Sequence, residues 1–360
     1  MSTQINPVNS PRLPAEVPAD APGVEAQGPP PEAVLTQMAF GALLTQALYV
    51  AARLGIADLL AVGPRAVADL AAETKTHERS LYRVLRSLAG AGVFEEVAPK
   101  TFGLTPLAEP LRADAPGSVR NGIIFMGEPW HFNVWSNMIH SVRTGEPAWG
   151  HAHGPEVFEY FAANPAHAEI FNSAMTDMSV VTAPAVVEAY DFSGFRRLAD
   201  IAGGHGYLLS QILKANPGLS GVLFDVPPVV EGAAALLERE GVAGRVERVA
   251  GDFFAGVPRA DAYVMKHIIH DWDDERASLI LRNINAAMGE DGRVLIVETV
   301  VPEGNWPHYS KVLDLEMLTS PGGIERTAEE YAALLASAGL RLSRIVPTRS
   351  PFSIVEAVRA

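Results

Sequence analysis

The stretch Arg197-Leu-Ala-Asp-Ile-Ala-Gly-Gly-His-Gly-Tyr-Leu-Leu-Ser210 decides the fold, because a buried-strand pattern runs through a glycine-rich turn straight into a helix pattern. Gly203, Gly204 and Gly206 let the backbone take positive φ and approach a ligand closely, and the first amides of the next helix face whatever binds there. Nineteen residues past Gly206 a second apolar run, Gly221-Val-Leu-Phe-Asp225, ends on a carboxylate. An α/β nucleotide fold holds ribose hydroxyls at that place.

Two ligand classes compete for the turn. A dinucleotide site would carry a third glycine where Leu209 stands, to pack the helix tightly beside a pyrophosphate. Asp200 precedes the turn instead, and an acidic residue at the strand end suits an amino group and a cationic sulfonium better than phosphates. The pattern points to S-adenosylmethionine.

Around this stretch the chain is long enough, at 360 residues with 48% hydrophobic, for two domains with real cores. A net charge of −14 argues against a nucleic-acid partner, whose phosphates would repel it. With no cysteine, disulfides, thiolate metal sites and thiol nucleophiles are excluded. No apolar run reaches the ~20 residues of a membrane span and the start lacks a signal pattern, so the expectation is a cytoplasmic protein without membrane partners.

Residues 1–31 carry prolines at eight positions and few large apolar side chains, which predicts a disordered tail. From Glu32 to Leu54 apolar residues recur at helical spacing on a stripe wider than one core needs, as if a second subunit covered part of it. Residues 32–115 then read as a winged helix: Val67–Ala71 and Glu78–Leu88 as helices, Val93–Val97 and Thr101–Leu104 as the wing. Lys75, Arg79, Arg83, Arg86 and Lys100 would suit DNA, but in so acidic a chain they read better as the solvated face of a docking or dimerisation module. Residues 116–190 form a helical linker rich in Met, His and aromatic residues. Part of it is core and part lines an apolar substrate pocket, with Trp130, Phe171 and Met175 as candidates.

Residues 191–360 alternate strand and helix and close on a hairpin, Leu340–Ile345 with Phe352–Val358. The fold class is therefore α/β: a doubly wound, Rossmann-like sheet with an antiparallel C-terminal edge, preceded by an all-α or winged-helix domain. Asp200, Asp225, Asp252, Lys266 and Glu298 all fall at the carboxyl ends of strands, where such sheets bind ligands. Lys266-His-Ile-Ile-His-Asp-Trp-Asp-Asp274 leaves the same edge. There His270 can reach a substrate hydroxyl as a base, Asp271 beside it is a candidate substrate contact, and Asp273 or Asp274 can cap the next helix. His267, nearer the strand, reads as packing. Glu298 and Glu325 are the candidates to orient the other nitrogen of the His270 ring.

Ala199-Asp-Ile-Ala-Gly-Gly-His-Gly206, Phe224-Asp-Val-Pro227, Gly251-Asp-Phe253, Met265-Lys-His-Ile-Ile-His-Asp-Trp272, Val297-Glu298 and Gly322-Gly-Ile-Glu-Arg-Thr327 occur in this order. From Glu32 onward the chain thus resembles the S-adenosylmethionine-dependent O-methyltransferases of the plant caffeate and acetylserotonin type and their bacterial natural-product relatives. The resemblance implies a homodimer joined by the winged-helix domain and a small aromatic acceptor. It makes His270 the general base flanked by Glu298 and Glu325, gives Asp225 the cofactor ribose and Asp252 and Phe253 its adenine, sets Lys266 at the cofactor edge and leaves the methionine portion to the glycine turn. The chain departs from the family at Ala202, where a further glycine is usual.

Methyl transfer from a sulfonium needs positioning, exclusion of water and removal of a proton, and no metal is required. Two other readings remain open at this point. One is a ligand-responsive winged-helix regulator. The other is a relative that binds the cofactor but decarboxylates or hydroxylates its substrate.

Overall fold

The computed structural model describes residues 29–360, so the expected tail lies almost wholly outside the described residues. The chain divides into two compact units between Glu128 and Pro129. Helix Arg120–Gly127, at the start of the stretch expected as a linker, therefore belongs to the first unit, where it packs on helix Pro31–Arg53. At that crossing a Cβ on Gly127 would lie 2.2 Å from the Tyr49 side chain, so only glycine permits the approach.

In the first unit, helices Val67–Thr74 and Glu78–Gly90 are followed by strands β2 (Phe94–Ala98) and β3 (Thr101–Leu104). A short strand β1 (Arg65–Ala66), not anticipated, pairs with β3 to complete a three-stranded wing. Leu81, Leu85 and Leu88 recur at three- and four-residue spacing and bury against Val67, Leu70, Phe94 and Phe102. Helix Pro31–Arg53 buries Ala51 and Ala52 but leaves Leu35, Met38, Phe40 and Leu43 between 60% and 70% exposed.

In the second unit, four short helices lead into the long helix Pro165–Ala189, and a seven-stranded sheet follows. Its strands are β4 (Arg197–Ile201), β5 (Ser220–Asp225), β6 (Val246–Ala250), β7 (Ala262–Lys266), β8 (Arg293–Glu298), β9 (Leu340–Pro347) and β10 (Ser353–Arg359). The order is β6-β5-β4-β7-β8-β10-β9, with β4 to β8 mutually parallel and β10 antiparallel to both β8 and β9. The doubly wound sheet with an antiparallel C-terminal edge is thus as expected. Alternate strand residues bury on opposite faces: Ala199, Ile201, Tyr263, Met265 and Ile296 under helices Asp274–Ala287 and Ala328–Ser337, and Leu198, Leu223, Val264 and Val297 under helices Tyr207–Ala215 and Pro165–Ala189.

Two expectations need correction. The helix placed over Val229–Gly241 is two, Pro227–Gly232 and Ala234–Arg239, hinged at Ala233. Helices Pro31–Arg53 and Pro165–Ala189 are long and apolar enough by length and composition to cross a membrane, with mean hydropathy 1.4 and 1.2, although no run of that length was anticipated. Small and hydroxyl residues of the second, among them Ala174, Ser179, Thr182 and Ala183, are buried within its unit. Ser179 and Thr182 spend their hydroxyls on carbonyls one turn back, and so join an apolar face without an unmet donor.

Winding reverses at β4, since the chain moves outward through β5 and β6 and then returns to lay β7 on the other side of β4. Ligands of open α/β sheets bind in the crevice at such a reversal, beyond the carboxyl ends of the strands. Here the crevice lies between the turn after β4 and the turn after β7.

Candidate active site

Each glycine of the turn after β4 has its own reason. Gly204 and Gly206 take φ of +59° and +81°, which side chains disfavour, while a Cβ on Gly203 would lie 2.5 Å from Leu223 and 2.6 Å from the Asp200 carboxyl carbon. Ala202, where the resemblance leads one to expect glycine, keeps the left-handed backbone at φ 53°, and its amide donates to the Phe224 carbonyl at 2.7 Å. The turn conformation survives the missing glycine at a local cost of about 1–2 kcal/mol.

The turn wraps over Asp200, which is 2% exposed and whose Oδ2 has no hydrogen-bond partner among the described residues. Burial, opposed by Lys266, pushes its carboxyl up to about 7. A buried carboxylate oxygen left without a donor at a ligand crevice suits an incoming ammonium or sulfonium cation. One strand over, Asp225 accepts from the Gly204 amide at 2.8 Å through Oδ2 and from the Val226 amide at 2.7 Å through Oδ1. Both bonds fix the carboxylate at the mouth of the turn and leave lone pairs for a diol. The Gly251 amide donates to the Asp225 carbonyl at 3.0 Å, which ties in the next loop. There Asp252 is exposed and accepts from the Phe254 amide at 2.8 Å, while Phe253 stands edge-on to Trp272 with ring centres 6.0 Å apart. Lys266 ends β7, and burial, opposed by Asp200, Asp271 and Glu298, brings its ammonium down to about 8. The structure thus gathers every residue expected to hold the cofactor along one edge of the sheet, and the free oxygen of Asp200 fits a cationic amino-acid portion.

The turn after β7 carries the candidate base. His270 is 4% exposed, its Nδ1 bonds Oε1 of Glu325 at 2.5 Å, and its Nε2 lies 3.5 Å from Oδ1 of Asp271. Burial alone would lower this imidazole, but the Glu325 bond, with the charges of Asp271 and Glu298, outweighs it and holds the ring at about 9. Thr299 donates its hydroxyl to the other oxygen of Glu325, whose own amide donates to Asp314 at 2.8 Å.

The two glutamates divide their work. Glu325 grips the ring, whereas the fully buried Glu298 accepts from the amides of Ile268, Ile269 and His270 through Oε1 and from the Tyr331 hydroxyl through Oε2. Glu298 therefore holds the backbone of the turn and not the imidazole, a correction forced by its place one strand over and beneath the chain. Arg326, 1% exposed, donates to the carbonyls of Ile269 and Trp272 and to Oδ1 of Asp274, and so clamps the far side of the turn. Asp273, and not Asp274, caps helix Asp274–Ala287 by accepting from Arg276 at 2.8 Å. Thr299, Asp314 and Tyr331 carry no signal that sequence reasoning used for the site, and Arg326 entered only within the quoted Gly322–Thr327 segment, since their work is to satisfy backbone and carboxylate groups.

The acceptor-side candidates lie in an aromatic cluster. Trp130 stacks on His167 at 4.9 Å and meets Phe161 edge-on at 5.9 Å, and Phe161 stacks on Phe171 at 4.9 Å. Met175 follows Phe171 by one helical turn, and the hydroxyl of adjacent Thr176 lies 3.1 Å from Nδ1 of His205, which joins this helix to the glycine turn. The cluster connects to the base through Glu316. That carboxylate bonds His131 at 2.8 Å, Trp135 at 2.5 Å and Ser320 at 2.7 Å, and its charge reaches Asp271, whose carboxyl burial pushes up to about 7.

Comparison with known proteins bears on this geometry. Residues 135–341 match the O-methyltransferase domain and residues 36–114 the O-methyltransferase dimerisation domain. A phenazine O-methyltransferase of Lysobacter antibioticus is 46% identical over 91% of this chain and 96% of its own. A mitomycin biosynthesis 6-O-methyltransferase of Streptomyces lavendulae is 40% identical over 94% and 97%. An O-methyltransferase from neocarzinostatin biosynthesis, solved with S-adenosylmethionine and 2-hydroxy-5-methyl naphthoic acid, superposes with a TM-score of 0.77 at 33% identity, covering 88% of this chain and 96% of that one.

Proposed function

The chain belongs to the S-adenosylmethionine-dependent O-methyltransferases of natural-product biosynthesis, and from that premise we propose that it methylates a phenolic hydroxyl of a small aromatic or polyketide-like acceptor, with His270 as general base. The observation that carries this reading is the His270–Glu325 pair, buried on a doubly braced turn at the same sheet edge as the glycine cradle. The bound cofactor supplies an electrophilic methyl carbon on a cationic sulfur.

This chain's residues do the rest. Asp200 takes the amino-acid portion, Asp225 the ribose, Asp252 and Phe253 the adenine, and Lys266 borders them. Trp130, Phe171 and Met175 pack the acceptor ring, with Asp271 beside its hydroxyl. The proton passes from that hydroxyl to Nε2 of His270, and Glu325 on Nδ1 stabilises the imidazolium that forms. With the ring at about 9, the base is charged at neutral pH in the protein alone, and a second cation in the same crevice favours its neutral form. By domain, residues 32–115 dimerise, 129–190 line the pocket and 191–360 hold the cofactor, while residues 116–128 go with the first unit.

The test is product identity. Incubated with S-adenosylmethionine and a panel of hydroxylated aromatics, the protein yields a product one methyl heavier and equimolar S-adenosylhomocysteine by mass spectrometry. A decarboxylated or hydroxylated product would overturn the reading. For the cofactor site, Asp225→Ala weakens S-adenosylmethionine binding by about 2–3 kcal/mol, the size of hydrogen bonds lost from a charged group. Calorimetry giving the wild-type affinity would remove Asp225 from the site.

The protein is a homodimer, as its dimerisation domain indicates. We place the exposed apolar residues of helix Pro31–Arg53 in the interface, so Met38→Asp combined with Leu43→Asp shifts the light-scattering mass from dimer to monomer at micromolar concentration. A variant that stays dimeric puts the interface elsewhere.

A further inference from the structure

His267, between Lys266 and the base turn, concentrates several local penalties. Its φ is 57°, a left-handed conformation unusual for a residue with a side chain. The ring is 7% exposed and its Nε2 is buried with no hydrogen-bond partner among the described residues. It lies 5.1 Å from the His270 ring, centre to centre, and edge-on to Phe352 at 4.4 Å, with Tyr309 beyond Phe352 at 6.0 Å. Burial first, and then the charges of Lys266 and His270, push its imidazole well down, so it stays neutral beside the base.

A plain packing residue at this place needs neither a polar ring nor a strained backbone, and a buried nitrogen without a partner calls for one. Whichever tautomer the ring holds, no described atom hydrogen-bonds Nε2, which leaves the nitrogen available to a bound molecule.

We propose that His267 selects the acceptor: its Nε2 hydrogen-bonds a polar atom ortho or peri to the reacting hydroxyl, so the preferred acceptors are aromatic hydroxyls with a neighbouring oxygen or nitrogen. This rests on the acceptor reading above. The His270 and His267 rings stand 5.1 Å apart, centre to centre, so one ring takes the proton while the other reads the neighbouring atom. A site built to bond such a group rejects analogues that lack it, because its own buried nitrogen is then left unpaired.

Matched acceptors test the inference: 8-hydroxyquinoline against 1-naphthol, and catechol against phenol. For each, kcat/KM is measured with S-adenosylmethionine and the dissociation constant by calorimetry with S-adenosylhomocysteine present. The wild type favours the member with the neighbouring heteroatom by about tenfold or more, the worth of one buried hydrogen bond. His267→Phe, which fills the space without a polar atom, brings both ratios toward one. His267→Asn, which tolerates left-handed φ and keeps a polar group, retains part of the preference, and thermal melts show both variants folded. Ratios unchanged in His267→Phe, or absent in the wild type while methylation proceeds, overturn the inference alone. Neither binding nor methylation of any of the four overturns the acceptor reading with it.

Discussion

Replacing His270 with glutamine lowers kcat by about 10²- to 10⁴-fold, the range that general-base catalysis supplies, and leaves S-adenosylmethionine affinity near the wild-type value. The imidazole is assigned to the acceptor, whereas Asp200, Asp225 and the glycine turn carry the cofactor. The sign of the pH dependence follows from the ring's position at about 9. The base must be neutral to act, so wild-type kcat/KM rises with pH up to that value and then levels. With the cationic cofactor saturating, the limb moves lower. The variant depends on phenolate formed in solution and keeps rising toward the phenol's own pKa of about 10. The ratio of the two rates therefore narrows above the wild-type limb.

Stability gives an independent check on the same preparation. His270 is raised from 6.5 to about 9 on folding, so it contributes stability that is complete below 6.5 and disappears as pH climbs through about 9. The melting deficit of His270→Gln shrinks over that interval. A rate loss independent of pH with unaltered proton linkage would make His270 a packing residue beside a site that works by positioning alone.

What the sequence made legible follows from what period and punctuation can encode. Strands β5, β7 and β8 are near-continuous apolar runs because both faces are covered, whereas edge strand β6 is not, and the turn after β4 is marked by glycines whose φ or lack of a Cβ is indispensable. His270 stood out because a polar residue just past a strand end of such a sheet has few structural reasons to be there, and Glu325 as the carboxylate of the glycine-marked segment Pro321–Thr327 between two helices. Glu298 was visible as a candidate but not its target, since backbone amides write nothing into the sequence. Arg326 and Tyr331 likewise contact carbonyls or a carboxylate of residues distant in the chain, and no spacing rule links them. The break at Ala233 was missed because Pro227–Arg239 keeps its apolar spacing, with Val230, Leu236 and Leu237 buried, across the interruption. His267 was set aside as packing because only the structure shows its left-handed backbone and unpartnered nitrogen.

Gly323→Ala tests whether that bracing governs the chemistry. Gly323 is not among the residues of positive φ, so alanine meets no dihedral penalty, and the demand on this position is space alone. A Cβ there would lie 1.9 Å from the His270 carbonyl oxygen and 2.4 Å from the Asp271 carbonyl carbon, both backbone atoms that cannot rotate aside. The two segments are joined at that point by the Ile324 amide, which donates to the His270 carbonyl at 2.8 Å. Either the loop or the base turn must retreat, and retreat stretches the same bond that brings Glu325 onto the imidazole. Overpacking of this kind costs about 1–3 kcal/mol of stability, and a base displaced by about 1 Å costs about 100-fold in rate. Gly323→Ala is therefore expected to melt lower and lose about two orders of magnitude in kcat while binding S-adenosylmethionine as the wild type does, because the cradle after β4 is untouched. Gly218→Ala, where an added Cβ meets nothing within 4 Å, is the control and changes stability by less than about 0.5 kcal/mol. Should Gly323→Ala keep full activity at a lowered melting temperature, the base turn can absorb the shift, and the Glu325 contact does not set the geometry of proton removal.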